Sequence, residues 1–208
     1  MSSAVQMPPA SDAPHRRDWP IEQNRGTYGI YMLIITEASL FVCLFASYFF
    51  LGNNKDRWAI DIPPKLHLAL ILLAVLLTSS FVLVWGERQV KRGQHGLARA
   101  AVFVTVVIGL GFLAIQAVEY RDHWKTLTPY TDSYGSIFYT ITTFHAAHVM
   151  MGILMLAYLG ILPGYGPTKM PPHRPYHVVA LYWHFVDIIW IFVVVLLYLL
   201  PNYQAYVH

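Results

Sequence analysis

Cysteine is nearly absent from the 208-residue chain: Cys43 stands alone, so neither an intrachain disulfide nor a cysteine-based metal or cluster site is available. Charge is scarce as well. Asp, Glu, Lys and Arg make up 12% of the residues, against about a quarter in an ordinary soluble domain, which excludes a water-wrapped globule and a disordered chain alike. There is no phosphate-cradling glycine loop, no nucleophile elbow and no zinc signature, and no internal repeat, heptad or second domain. The net charge is only +3 and the basic residues are scattered through loops, so no nucleic-acid partner is expected. Residues 1–27 carry Pro8, Pro9, Pro14 and Pro20 and no apolar core. They read as a polar tail without a cleavable signal, which leaves the first span to direct insertion.

What is present is apolar and clustered. Hydrophobic residues make up 56% of the chain and the mean hydropathy is +0.46. Five runs, at about 28–51, 66–85, 100–118, 137–162 and 178–200, occupy more than half of it. A helix needs about 20 apolar residues to cross the roughly 30 Å of bilayer hydrocarbon, and each run meets or approaches that. The expected fold is all-α: one membrane domain over residues 28–200 with five transmembrane helices, followed by a short C-terminal tail, 201–208. Gly52-Asn53-Asn54, Pro63-Pro64, Gly93 with Gly96, Gly135-Ser136, and Pro163 to Pro167 with Pro171-Pro172 punctuate the connections. Trp19, Trp58, Trp85, Trp124, Tyr130 and Tyr134 stand near run ends, where an interfacial aromatic belt is expected.

With five spans the termini lie on opposite sides. Arg16, Arg17, Arg25, Arg88, Lys91, Arg92, Arg99, Lys169 and Arg174 fall on the N-terminal side; Lys55, Arg57, Lys65, Arg121 and Lys125 fall on the other. Nine against five places the N-terminus in the cytoplasm and His208 outside.

Titratable groups inside hydrocarbon cost a few kcal/mol on insertion scales, so each needs a partner or a purpose. Glu37 sits mid-run among Ile34, Ile35, Leu40 and Phe41. It reads either as a neutral acid bonded to a neighbouring helix or as a proton-handling, lipid or partner contact. His145 and His148 are three apart and share a helix face; His184 and Asp187 repeat that spacing on the last run. Two readings stand. In one, His145 or His148 faces His184 as a pair of metal or haem ligands. In the other, all are interhelical hydrogen-bonding groups, with Asp187 pairing a histidine of the fourth run. Glu119 and Tyr120 close the third run beside Arg121-Asp122-His123 and are expected to pair locally at the interface. Gly109-x-Gly111 and Ser79-Ser80 point to close helix approach and to hydroxyl bonds onto backbone. Three function classes fit these residues: a non-catalytic membrane subunit, a self-contained five-span dihaem cytochrome b, and a small transporter coupling protons through Glu37 and Asp187. The transporter lacks the repeated halves common in such folds.

At the same residues the chain resembles subunit III of the haem–copper respiratory oxidases, the cytochrome c oxidase subunit III family. Tyr182-Trp183-His184-Phe185-Val186-Asp187-Ile188-Ile189-Trp190 resembles the family's YWHFVDVVW run. Gly135-Ser136-Ile137-Phe138-Tyr139, Phe144-His145 and His148-Val149 are similar to its GSxFY…FHxxHV, and Gln116, Glu119 and Tyr120 match its QxxEY ending. Glu37, preceded by Thr36, falls where the family carries an intramembrane glutamate. Pro63-Pro64 and Leu76 to Ser80 resemble its loop and second-span pattern. The chain departs at Thr143 and Ala146, where glycines are usual, at His177 in place of a glutamate, and at His67-Leu68 in place of Asn-Thr.

The resemblance implies a helical bundle with a lipid-holding cleft, in a shorter five-span form lacking the family's first two spans. It implies an oxidoreductase complex of aerobic respiration that reduces dioxygen to water, takes electrons from cytochrome c or quinol, and pumps protons. Haem and copper then belong to partner subunits I and II, and this chain carries neither a cofactor nor a catalytic centre. It binds phospholipid, stabilises the catalytic subunit and supports proton uptake. His145, His148, His184, Asp187, Glu119 and Tyr120 become a structural polar network, and Glu37 the proton-related or lipid-cleft residue. The setting is a bacterial plasma membrane; quinol oxidases and accessory subunits of nitric oxide reductase are close branches of the family.

Overall fold

The computed structural model describes residues 20–53, 66–123, 130, 133–161 and 173–207. The helices are α1 (Pro20–Asn53), α2 (Leu66–Lys91), α3 (His95–His123), α4 (Ser133–Ile161), α5 (His173–Val193) and α6 (Leu200–Val207), the last two joined by a π-helical stretch, Val194–Leu199. Among the described residues, five segments are long and apolar enough to span a membrane: Gly26–Asn53, Leu66–Lys91, His95–Asp122, Ser133–Ile161 and His173–Tyr203. The chain is an all-α, multi-pass membrane protein. The Pro63-Pro64, Pro163 to Pro167 and Pro171-Pro172 punctuation, half of the basic loop residues (Arg16, Arg17, Lys55, Arg57, Lys65, Lys125 and Lys169), Trp19, Trp58, Trp124 and His208 lie outside the described residues. Helix α1 begins at Pro20, inside the segment read as tail, with proline at a helix start where its missing N–H costs nothing.

Helices α2, α3, α4 and α5 form a ring in which each packs on the next and α5 closes on α2; α1 docks on the outer α4/α5 side. The α2–α3 connection is tighter than two flanking glycines suggest. Gly93 alone makes the turn, at φ 74°. Its N–H donates to the Val90 carbonyl at 3.0 Å and Gln94 N–H donates to the Gln89 carbonyl at 2.9 Å, a Schellman closure that needs the left-handed conformation only glycine adopts freely. Gly96 is already inside α3.

Close approach is set by particular small residues. A Cβ on Gly109 would stand 2.9 Å from Trp183, and one on Gly152 would stand 2.8 Å from the same ring, so the fully buried indole of Trp183 is slotted between α3 and α4. Gly111 has nothing within 4 Å of its Cβ position, so only the first glycine of Gly109-x-Gly111 serves helix contact. Near the end of α5, Pro201 withholds the N–H that an α-helix would send to the Leu197 carbonyl. The backbone there widens into the π register, with Leu200 N–H donating to the Val195 carbonyl, and Tyr134 of α4 donates its phenol to Leu197 at 2.8 Å. Tyr134 is therefore a buried interhelical donor, not a belt residue. Trp85 and Tyr130 are exposed, as a belt requires.

Candidate functional site: intramembrane polar contacts

Glu37 projects from α1 toward α4, where its Oε2 lies 3.0 Å from Nε2 of His148. The other ring nitrogen of His148, Nδ1, lies 2.6 Å from the Phe144 carbonyl one turn earlier, and Phe41 packs edge-on against the imidazole. The pair sits at the seam of α1 with α4, with the carboxylate side chain 29% exposed and the imidazole 12%. The acid expected to bond a neighbouring helix thus has a named partner. In this arrangement one hydrogen bond links the carboxyl and the imidazole across two helices while the Glu37 side chain stays partly exposed.

Asp187 does not pair with a histidine of α4. The hydroxyl of Ser80, on α2, donates to Asp187 Oδ2 and also lies 2.9 Å from His184 Nδ1. The reason is packing order. Helices α2 and α5 are antiparallel neighbours in register, so Ser80 meets His184 and, two turns toward the α2–α3 turn, Glu87 meets His177 at 3.2 Å. Glu87 also binds Lys91 at 3.1 Å. One position away, Ser79 accepts a hydrogen bond from Trp183 Nε1 at 2.9 Å and donates to the Leu76 carbonyl at 2.7 Å. Tyr176 donates to the Leu83 carbonyl at 3.2 Å.

His145 is buried at the centre of the ring, stacked on Trp190 with centroids 4.8 Å apart and against the Phe112 edge at 5.9 Å. Glu119 and Tyr120 reach across helices. Glu119 is buried and accepts from Tyr198 at 3.3 Å, and Tyr120 bonds Thr142 at 2.6 Å. Glu119 thus meets the π-helical stretch and Tyr120 meets α4. Sequence reasoning did not find Ser80, Glu87, His177, Tyr134 or Tyr198 as partners.

Each of the three intramembrane imidazoles has a different neighbour: His148 lies against Glu37, His184 against Ser80, and His145 against Trp190 and Phe112. No cluster of three or more potential metal-ligating side chains occurs among the described residues.

The cytochrome c oxidase subunit III family model matches residues 21–201. The cytochrome c oxidase subunit 3 of Thermostichus vulcanus is 32% identical over 185 residues, covering 84% of this chain and 87% of that protein. The subunit 3 of Synechocystis sp. is 32% identical over 181 residues, 83% of this chain and 75% of that one. The subunit 3 of Bacillus subtilis is 30% identical over 178 residues, 83% and 84%. A match that runs from the start of α1 into α6, over the helices that supply every contact described above, shows that the chain belongs to the cytochrome c oxidase subunit III family.

Proposed function

We propose that, as subunit III of a proton-pumping haem–copper oxidase, this chain is the non-redox subunit that stabilises the catalytic subunit, holds phospholipid and supports proton uptake. The observation that carries the reading is the family match over residues 21–201. Haem and copper are assigned to subunits I and II, where they perform dioxygen reduction. Its histidines are engaged in interhelical bonds and ring packing, which supports their assignment as structural. The N-terminus is assigned to the cytoplasm and the C-terminus to the periplasm of a bacterial plasma membrane, on the charge asymmetry of the loops.

Glu37 is the residue assigned to the proton or lipid role. It is the intramembrane acid that combines a titratable partner on another helix with partial exposure on the outer side of the ring. Replacement by Gln keeps the shape and a hydrogen bond to His148 but cannot exchange a proton, so assembly is expected to survive while activity decays faster during turnover or proton uptake slows. Unchanged activity and inactivation kinetics would remove Glu37 from the role.

The reading as a whole is tested by capturing the tagged chain in mild detergent and recording an optical spectrum and oxygen consumption on the eluate. Co-purifying large subunits, haem and cyanide-sensitive oxygen uptake are expected, with cytochrome c and quinol compared as donors. Haem retained by the chain alone, and lost in His184→Ala, would replace this reading with a cytochrome b.

A further inference from the structure

We propose that the α2–α5 seam holds a second proton-exchanging carboxyl, Asp187, served by a relay through the Ser80 hydroxyl and the His184 imidazole. The Ser80 oxygen stands within hydrogen-bond reach of both Asp187 Oδ2 and His184 Nδ1, and a hydroxyl has a single hydrogen to donate and lone pairs to accept with. Two hydrogen-bond directions therefore fit one set of heavy-atom positions. In one, the Asp187 carboxyl donates to Ser80 and Ser80 donates to His184 Nδ1. In the other, His184 N–H donates to Ser80 and Ser80 donates to the Asp187 carboxylate.

Passing from the first to the second breaks the Asp187 O–H and the Ser80 O–H bonds and forms a new Ser80 O–H and a His184 Nδ1–H. The carboxyl becomes a carboxylate and the imidazole an imidazolium, with no net gain or loss of atoms or charge. For exchange, the imidazolium passes its Nε2 proton to a water molecule that the relay requires at the partly exposed edge of the seam. Asp187 itself is 4% exposed and its Oδ1 has no hydrogen-bond partner among the described residues, so its proton has no direct path outward, whereas the His184 ring is partly exposed. Glu87 and His177, two turns along the same seam and about 10 Å away, face each other at 3.2 Å, with Lys91 beside Glu87.

The test is infrared-monitored hydrogen–deuterium exchange on the complex purified through this chain, an observable that does not depend on oxygen reduction. The carboxyl C=O band lost in Asp187→Asn identifies the group, and its downshift in deuterated water gives the exchange rate. Ser80→Ala and His184→Asn are each expected to slow that exchange by about 10²-fold, the scale of positioned acid–base assistance, while Ser80→Thr restores it. Should Ser80→Ala fail to assemble, His184→Asn and Ser80→Thr give the same contrast. Exchange at the wild-type rate or faster in the two cutting variants, or no carboxyl band lost in Asp187→Asn, would overturn the relay.

Discussion

Gly86→Ala adds one methyl group at the point where three helices meet. Its Cβ would lie 2.6 Å from the Ala101 Cβ of α3 and would overlap the Tyr176 hydroxyl of α5. Carbon atoms in contact prefer about 3.5–4.0 Å, so α2 and α3 must separate locally by about 1 Å. Ala101 has no rotamer with which to yield, and the Gly93 turn ties the two helices together just beyond. Displacing Tyr176 also breaks its bond to the Leu83 carbonyl. Overpacking costs about 1–3 kcal/mol and the lost hydrogen bond about 1, against a gain of roughly 0.5–1 from replacing glycine within a helix. A net loss of about 1–3 kcal/mol follows. Gly111→Ala supplies the control: the same propensity gain, with nothing within 4 Å to strike, should leave stability unchanged or raised by up to about 1 kcal/mol. The two variants should differ by on the order of 10 °C in the midpoint for loss of monodisperse protein on heating in detergent. Adding Ala101→Gly to Gly86→Ala should recover part of the loss, because Tyr176 still stands in the way. Equal midpoints for the two glycine variants, or a Gly86→Ala protein as stable as wild type, would refute the packing argument.

The other perturbations act on single bonds. Tyr134→Phe leaves the Leu197 carbonyl without its phenol beside the Pro201 break and should cost about 1–2 kcal/mol in the same thermal assay. Trp183→Phe removes both indole volume between Gly109 and Gly152 and the donor to Ser79, for a loss of about 2 kcal/mol; no change would mean that the slot is not a packing constraint. His148→Phe should keep the ring contact with Phe41 but strip Glu37 of its partner, loosening α1, which a faster proteolytic cut near the α1 end in detergent would report. Phe81→Leu, at a side chain 75% exposed, should shift the midpoint by less than the roughly 0.5 kcal/mol typical of surface changes.

How far the chain could be read without coordinates depended on whether the physics was local. Apolar run length is local, and all five spans were legible from it, although the helices extend past the runs into polar residues such as Glu87 and His177, because a membrane helix continues after the hydrocarbon ends. The cost of a buried charge is local too, so Glu37, His145, His148, His184, Asp187 and Glu119 could be singled out as needing partners. The partners themselves were not legible. In a helix, serine and threonine hydroxyls can satisfy themselves on the carbonyl three or four residues back, as Thr36, Ser39, Ser47 and Thr78 do. Nothing in the sequence separates Ser80 from those; only the antiparallel register of α2 against α5 aims it at His184 and Asp187. The same holds for Tyr134 and Tyr198, which read as belt or core aromatics until the π-helical stretch before Pro201 brings the Leu197 carbonyl and Glu119 to them.

These bonds share one element. Ser79, Ser80, Leu83 and Glu87 of α2, Glu119 of α3 and Tyr134 of α4 all meet side chains or backbone of α5 and its π-helical continuation. That last span is also the most buried of the five, and α1 the least. Each change on α5 therefore touches several helices at once, whereas most positions on α1 are exposed in the isolated chain. The run from Tyr182 to Trp190 concentrates such contacts: Trp183 fills the slot between two glycines, His184 and Asp187 meet at one hydroxyl, and Trp190 closes over His145. Residues so placed have few substitutes that keep every contact, while an exposed apolar position such as Val42 or Phe50 makes little contact within the chain for a substitution to break.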